Sequence, residues 1–173
     1  MKINIESLLK KTDNKFHIEE CYESEEYGLD IDRARLAGGL EVNGELHHVG
    51  DGIIRLRGTY RVKLEINCSR CLKPEIESRF KGIKGVFVPS GYEAEVDMEG
   101  DEYRAEYEEN SLSLWDILRQ DILLSIPMQP LCTDECKGLC PVCGQDLNEK
   151  DCGHKTESVD PRLEALKDIE IEE

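Results

Sequence analysis

From Ile53 to Asn67 the chain alternates with a period of two. Ile54, Leu56, Tyr60, Val62, Leu64 and Ile66 fall on even positions, and Arg55, Arg57, Thr59, Arg61, Lys63, Glu65 and Asn67 on odd ones. Successive strand side chains point to opposite faces, so this run predicts a half-buried strand with one apolar and one cationic face. After Cys68-Ser69-Arg70-Cys71-Leu72-Lys73-Pro74 a second run begins, with Ile76, Phe80, Val86, Phe87 and Val88. Residues 53–88 therefore read as a long hairpin with a cysteine-bearing connection. Upstream, Gly50-Asp51-Gly52 is a turn signal that joins it to a strand near 40–49. The expectation is an α+β fold: an antiparallel sheet of three or more strands, able to close like a barrel, with a few helices.

Helix signals come later. Ser113 precedes Leu114, Trp115, Leu118 and Ile122, with Asp116 three residues on, as in a capping box. Pro127 and Pro130 end that helix. A short last helix is expected from Asp160-Pro161, with Leu163 and Leu166 on its buried side. The segment 89–109 carries Pro89, Gly91 and Gly100, shows no period and reads as a loop. Two parts follow: a sheet-plus-helix core over 1–130, and a cysteine-rich segment over 131–173 that ends in the short helix and packs on the core.

Charge sharpens this picture. The 173 residues carry a net −16, unevenly distributed. From Ile53 to Gly85 nine basic residues (Arg55, Arg57, Arg61, Lys63, Arg70, Lys73, Arg79, Lys81 and Lys84) face only Glu65, Glu75 and Glu77. From Glu93 to Glu109 nine acidic residues face Arg104 alone. The cationic strand face, with Arg55, Arg57, Arg61, Lys63, Arg79 and Lys81, is a candidate for phosphate contact without sequence readout. A solvated sheet face is the plainer reading of the same residues. No aromatic residue is expected to interleave with that face, because Tyr60 falls on the apolar side, so base stacking is not expected there.

The chain shows no membrane-spanning run, and its start lacks an apolar stretch of signal-peptide length. The expected compartment is a reducing cytoplasm, where grouped cysteines signify metal more often than disulfides. Seven of the eight cysteines are grouped: Cys68 and Cys71, then Cys132, Cys136, Cys140, Cys143 and Cys152, with His154 just beyond. Zinc takes four thiolate or imidazole ligands at tetrahedral corners. Cys140-Pro141-Val142-Cys143-Gly144 suits two adjacent corners: proline stiffens the turn and glycine supplies the left-handed residue that closes it. With His154 there are eight candidate ligands, enough for one Zn2+ with spares or for two. The pairing stays open. A compact site would use Cys136, Cys140, Cys143 and Cys152; the alternative joins Cys68 and Cys71 to two C-terminal cysteines and clips the tail to the sheet. Cys21 stands alone, and His17, His47 and His48 lack cysteine neighbours.

Catalytic signatures are missing. There is no phosphate-binding glycine loop, no nucleophile elbow, and no H-x-E paired with a P-C-x-x-C as in the zinc deaminases, since Pro141 lies inside the Cys140–Cys143 knuckle. Enough cysteines exist to fill every coordination position, whereas a catalytic zinc keeps one open.

The blocks Cys68-Ser69-Arg70-Cys71-Leu72-Lys73-Pro74, Leu124-Ser125-Ile126-Pro127 through Cys132, Cys136-Lys137-Gly138-Leu139-Cys140-Pro141-Val142-Cys143-Gly144-Gln145-Asp146-Leu147-Asn148, and Asp160-Pro161-Arg162-Leu163 resemble the YceD family of bacteria and plastids. It is also called large ribosomal RNA subunit accumulation protein. The resemblance covers about 30–170. It implies a non-catalytic role in accumulating large-subunit ribosomal RNA, with no catalytic residues to carry over. Members are often encoded beside a small zinc-ribbon ribosomal protein. Some keep the first cysteine pair yet lack the C-terminal cysteines, which implies separate action of the two groups and weighs against the clipped tail. Three functions are thus in play. One is a zinc-binding ribosome-biogenesis factor that meets ribosomal RNA. Another is an acidic chaperone for a basic ribosomal protein, with 93–109 as its contact. The last is a thiol redox or metal-handling protein. No membrane partner and no small-molecule substrate is expected.

Overall fold

The computed structural model describes residues 2–10, 14–23, 27–29 and 31–154. The expected helix at 160 lies outside them. The predicted hairpin is the centre of the fold: β5 (Ile53–Asn67) pairs antiparallel with β6 (Pro74–Pro89) along its whole length, from Ile54–Phe87 to Asn67–Pro74. On the other side of β5 lies β4 (Leu40–Gly50), joined through the predicted turn. Gly50, Asp51 and Gly52 all take positive φ there.

Four other strands are less visible in the sequence. β2 (Lys15–Tyr22) pairs antiparallel with β4, and the short β3 (Ala34–Leu36) pairs with β5 beyond the end of β4, continuing its lane. β1 (Lys2–Asn4) and β8 (Ser111–Ser113) form a separate two-stranded sheet. Between β1 and β2 comes a single helical turn, α1 (Glu6–Leu9).

Two expectations are corrected. First, the six-stranded sheet does not close into a barrel: it runs β2-β4-β5-β6-β7, with β3 off that path. Second, 89–109 is no simple loop. Its end forms β7 (Tyr103–Tyr107), which lies parallel to β6 and makes the sheet mixed. A parallel neighbour needs a crossover of about a dozen residues or more, and 90–102 supply it.

Helix α2 (Leu114–Ser125) begins and ends where the sequence places it. Ser113 is its N-cap residue but makes no side-chain capping bond. It is also the last residue of β8, paired with Lys2, so strand geometry takes precedence over the capping box. Leu114, Ile117, Leu118 and Ile122 pack with Leu56, Tyr60 and Val62 of β5, Phe87 of β6, Leu46 of β4 and Ile3 of β1 in one core. Burial of these apolar faces, at roughly 25 cal/mol per Å², is what holds the layers together.

A carboxylate sits inside this core. Asp121 of α2 is 2% exposed and accepts hydrogen bonds from Tyr60 Oη at 2.5 Å, Tyr103 Oη at 2.7 Å and Lys81 Nζ at 2.5 Å. Burial pushes its carboxyl up, but these three donors outweigh burial and hold it below the usual carboxylate range. The bonds tie α2 to β5, β6 and β7 at once.

Candidate metal centres

The connection between β5 and β6 is a tight turn. Cys68 N–H donates to Lys73 O at 2.9 Å and Leu72 N–H to Cys68 O at 3.0 Å, with Leu72 at φ +60°. After α2 the chain returns to this turn: Ser69 N–H donates to Pro130 O at 2.8 Å. Cys132 and Cys136 thereby arrive beside Cys68 and Cys71, and the four ligand sulfurs lie within 4.8 Å of one another. Cys68 Sγ is 3.8 Å from Cys136 Sγ, and Cys71 Sγ is 3.6 Å from Cys132 Sγ. A disulfide would need about 2.05 Å. Corners of a tetrahedron with Zn–S bonds of about 2.3 Å lie about 3.8 Å apart. The spacing fits a bound divalent metal and not a disulfide.

Neighbouring groups hold this inner centre closed. Arg70 Nη1 donates to Cys136 O at 2.7 Å, and Leu139 N–H to Arg70 O at 3.2 Å. Gly138 takes φ +75°, and a Cβ there would stand 3.0 Å from Arg70 O, so the close approach requires glycine. Lys73 Nζ bridges Asp146 at 2.8 Å and Glu149 at 2.7 Å. Asn148 Nδ2 donates to Cys136 Sγ at 3.4 Å while its Oδ1 accepts from Lys137 N–H at 2.8 Å. Hydrogen bonds of this kind, made to the ligands from behind, orient them and tune a metal. Sequence reading did not single out Asn148, Asp146 or Lys73 for this task. Their only signal was the D-L-N ending of the cysteine block and one more lysine in a basic zone.

The second group is built within one short stretch. Cys140 N–H donates to Gln145 O and Gly144 N–H to Cys140 O, both at 2.8 Å, which closes the predicted knuckle with Gly144 at φ +74°. Cys140, Cys143, Cys152 and His154 bring four ligand atoms within 4.8 Å. His154 Nδ1 stands 3.7 Å from Cys140 Sγ and 3.3 Å from Cys152 Sγ. A tetrahedral ion with bonds of about 2.0 Å to nitrogen and 2.3 Å to sulfur would set about 3.5 Å.

Each group holds one thiol that is already acidic. Burial pushes Cys68 up, but the backbone N–H groups of Cys71, Cys132 and Arg70 outweigh it and bring the thiol down to about 6. The N–H groups of Cys143 and Val142 bring Cys140 down to about 6. Thiolates are the metal-binding form.

All eight predicted ligands are therefore brought together, four and four. The compact alternative is not formed, because Cys136 turns toward Cys68 while Cys140, only four residues on, begins the outer knuckle. Cys21 is exposed and far along β2.

The six predicted phosphate contacts are divided between the two faces of the sheet. Register places Arg79 opposite Val62 and Lys81 opposite Tyr60, on the helix side. There Arg79 Nη1 donates to Ser125 O, and Lys81 binds Asp121. Arg55, Arg57, Arg61 and Lys63 share the outer face, but the acidic crossover lies across part of it. Arg55 Nη1 meets both carboxylate oxygens of Glu102 at 2.9 Å, Arg57 Nη2 meets Glu99 at 2.7 Å, and Lys84 meets Asp101 at 3.2 Å. Arg61 pairs with Glu41 at 3.2 Å, and among the described residues Lys63 makes no ion pair. One aromatic does share this face, contrary to expectation. Phe80 lies opposite Arg61, is 68% exposed, and carries the guanidinium 5.8 Å above its ring.

Among the described residues no helix is long and apolar enough to cross a membrane. The chain is 25% identical over 171 residues to uncharacterised proteins of Mycobacterium tuberculosis and Mycobacterium bovis, covering 98% of this chain and 81% of each relative. No solved structure matches. The family model for large ribosomal RNA subunit accumulation protein YceD matches residues 56–170, which take in all but the first residues of the β5–β6 hairpin, α2 and both cysteine groups, and the chain belongs to that family.

Proposed function

We propose that this chain is a non-catalytic, cytoplasmic zinc protein that serves the accumulation of large-subunit ribosomal RNA. In this reading one Zn2+ is held by Cys68, Cys71, Cys132 and Cys136, and another by Cys140, Cys143, Cys152 and His154. The observation that carries it is the gathering of eight soft ligands into two four-membered groups at tetrahedral spacing. Family membership supports the ribosomal role. Four protein ligands at each centre leave no open position for substrate, which favours structure over catalysis. The redox alternative loses ground because Cys68 and Cys71 are 1% and 4% exposed, out of reach of a partner disulfide. The zinc is to be checked by mass spectrometry on protein purified without added metal. About two zinc ions per chain are expected, falling to about one in Cys140→Ser/Cys143→Ser. Metal-free protein with every thiol reduced would remove this reading and restore the redox one.

The direct partner is the second question. Ion pairs within the chain already use Arg55, Arg57, Arg61 and Lys84. This favours a basic ribosomal protein, met by the surplus acidic surface of a −16 chain, over RNA phosphates met by β5.

A further inference from the structure

The two centres differ in how they are built. The inner one joins distant parts of the chain: Cys71 and Cys132 enclose the whole of β6, the crossover, β7, β8 and α2. Closing so long a loop with an ion opposes much chain entropy, so its opening is coupled to loss of the tertiary fold. Cys68, Cys71 and Cys136 are buried and pack with Leu131 and Leu139. The Ser69–Pro130, Arg70–Cys136, Lys73–Asp146 and Asn148–Cys136 contacts must also break before a competing ligand reaches the ion.

The outer centre has much less of this protection: of its four ligands only Cys140 is buried. Its ligands all come from 140–154. Cys143 is exposed and Cys152 only half-buried; His154 is exposed. The knuckle is closed by its own backbone, through Cys140–Gln145 and Gly144–Cys140 hydrogen bonds and a Leu139–Asp146 bridge. Those bonds all lie within 139–146. An incoming ligand can therefore attack the outer ion from solvent, one corner at a time, while the sheet, α2 and the inner centre stay in place.

We infer that the outer centre, Cys140, Cys143, Cys152 and His154, is an exchangeable zinc port, whereas the inner centre is a closed clip. The outer site would trade Zn2+ with soluble thiolate or imidazole chelators and so register zinc availability on the protein surface. This rests on the zinc reading above and adds to it an ordering of the two ions. In exchange the outgoing ion leaves as Zn2+ bound to the competing ligand, and no electron moves.

The test uses the full zinc-loaded chain at neutral pH, with metal content measured first. An excess of a chromogenic pyridylazo chelator is added, and release is followed with the fluorescence of Trp115, the single tryptophan, which lies on α2. About half the zinc should leave in a fast phase without a change in fluorescence. The other half should leave at least about 100-fold more slowly, or only in denaturant, as local and near-global openings differ. Cys143→Ser, at an exposed position, should lack the fast phase and keep the slow one. Release of both ions in one phase would overturn the inference while leaving the zinc reading intact, as would a fast phase that carries the fluorescence change. Protein that carries no zinc before chelator is added would overturn both.

Discussion

Asp121 is the most exacting point at which to perturb this fold. Replacing it with asparagine keeps the shape but removes the charge and one of the two acceptor oxygens. Three donors now converge on that carboxylate: the buried Tyr60 hydroxyl, the Tyr103 hydroxyl and the Lys81 ammonium. A hydrogen bond to a charged group is worth about 1.5–3 kcal/mol, and Tyr60, at 1% exposed, cannot turn to water instead. Tyr103 is only partly buried and can recover some hydration. Lys81 has a side chain 50% exposed, so its share is discounted to about 0–1 kcal/mol. Together these give a loss of about 2–4 kcal/mol for Asp121→Asn. Urea unfolding at saturating zinc, read from Trp115 fluorescence, measures it. Tyr60→Phe alone should cost about 1–2 kcal/mol, and the double variant should cost less than the two together by about 1 kcal/mol, because both changes remove the same bond. A cost for Asp121→Asn under about 0.5 kcal/mol, or strict additivity with Tyr60→Phe, would refute the idea that this carboxylate anchors α2 to the sheet.

Two further outcomes are expected. Glu102→Gln should destabilise the protein by about 2–4 kcal/mol, because it leaves Arg55, 17% exposed, facing a neutral group at a site where Glu102 is fully covered; Glu41→Gln, in a pair more than half exposed on both sides, should cost under about 1 kcal/mol. Similar costs from urea unfolding would contradict the view that the acidic crossover is clamped onto the cationic face, and RNA binding that strengthens in Glu102→Gln would favour RNA as the partner. In alkali, burial and the Asp121 carboxylate hold Tyr103 in its neutral form, its pKa raised from 10.0 to about 12. A raised folded value means that the unfolded chain loses the proton first, so this contribution is complete below pH 10 and disappears between pH 10 and about 12. Stability that stays flat across that window, or ultraviolet titration showing every tyrosine ionising near pH 10, would show that the network does not hold Tyr103.

Local chemistry made much of this protein readable in its sequence. The alternation from Ile54 to Ile66 sets β5 and its buried face, since side-chain direction along a strand depends only on parity. The turn at Gly50–Gly52, the proline-ended α2 and the Cys140–Gly144 knuckle depend on residues within one or two turns of each other. The eight candidate ligands could be singled out too, because cysteines at knuckle spacing are a metal-binding pattern.

Tertiary structure decided what depends on distant chain segments. Spacing could not say that Cys136 joins Cys68 across the fold while Cys140 starts a second centre, because that choice follows from where α2 delivers the chain. Parity put Arg55 and Arg57 on an outer face but could not show Glu99 and Glu102 lying over them, since that crossover has no period of its own. Asp121 falls on the same face of α2 as Leu114, Leu118 and Ile122, but nothing local in the sequence names its partners. Only the packing of α2 on β5, β6 and β7 surrounds it with three donors and makes a buried charge favourable.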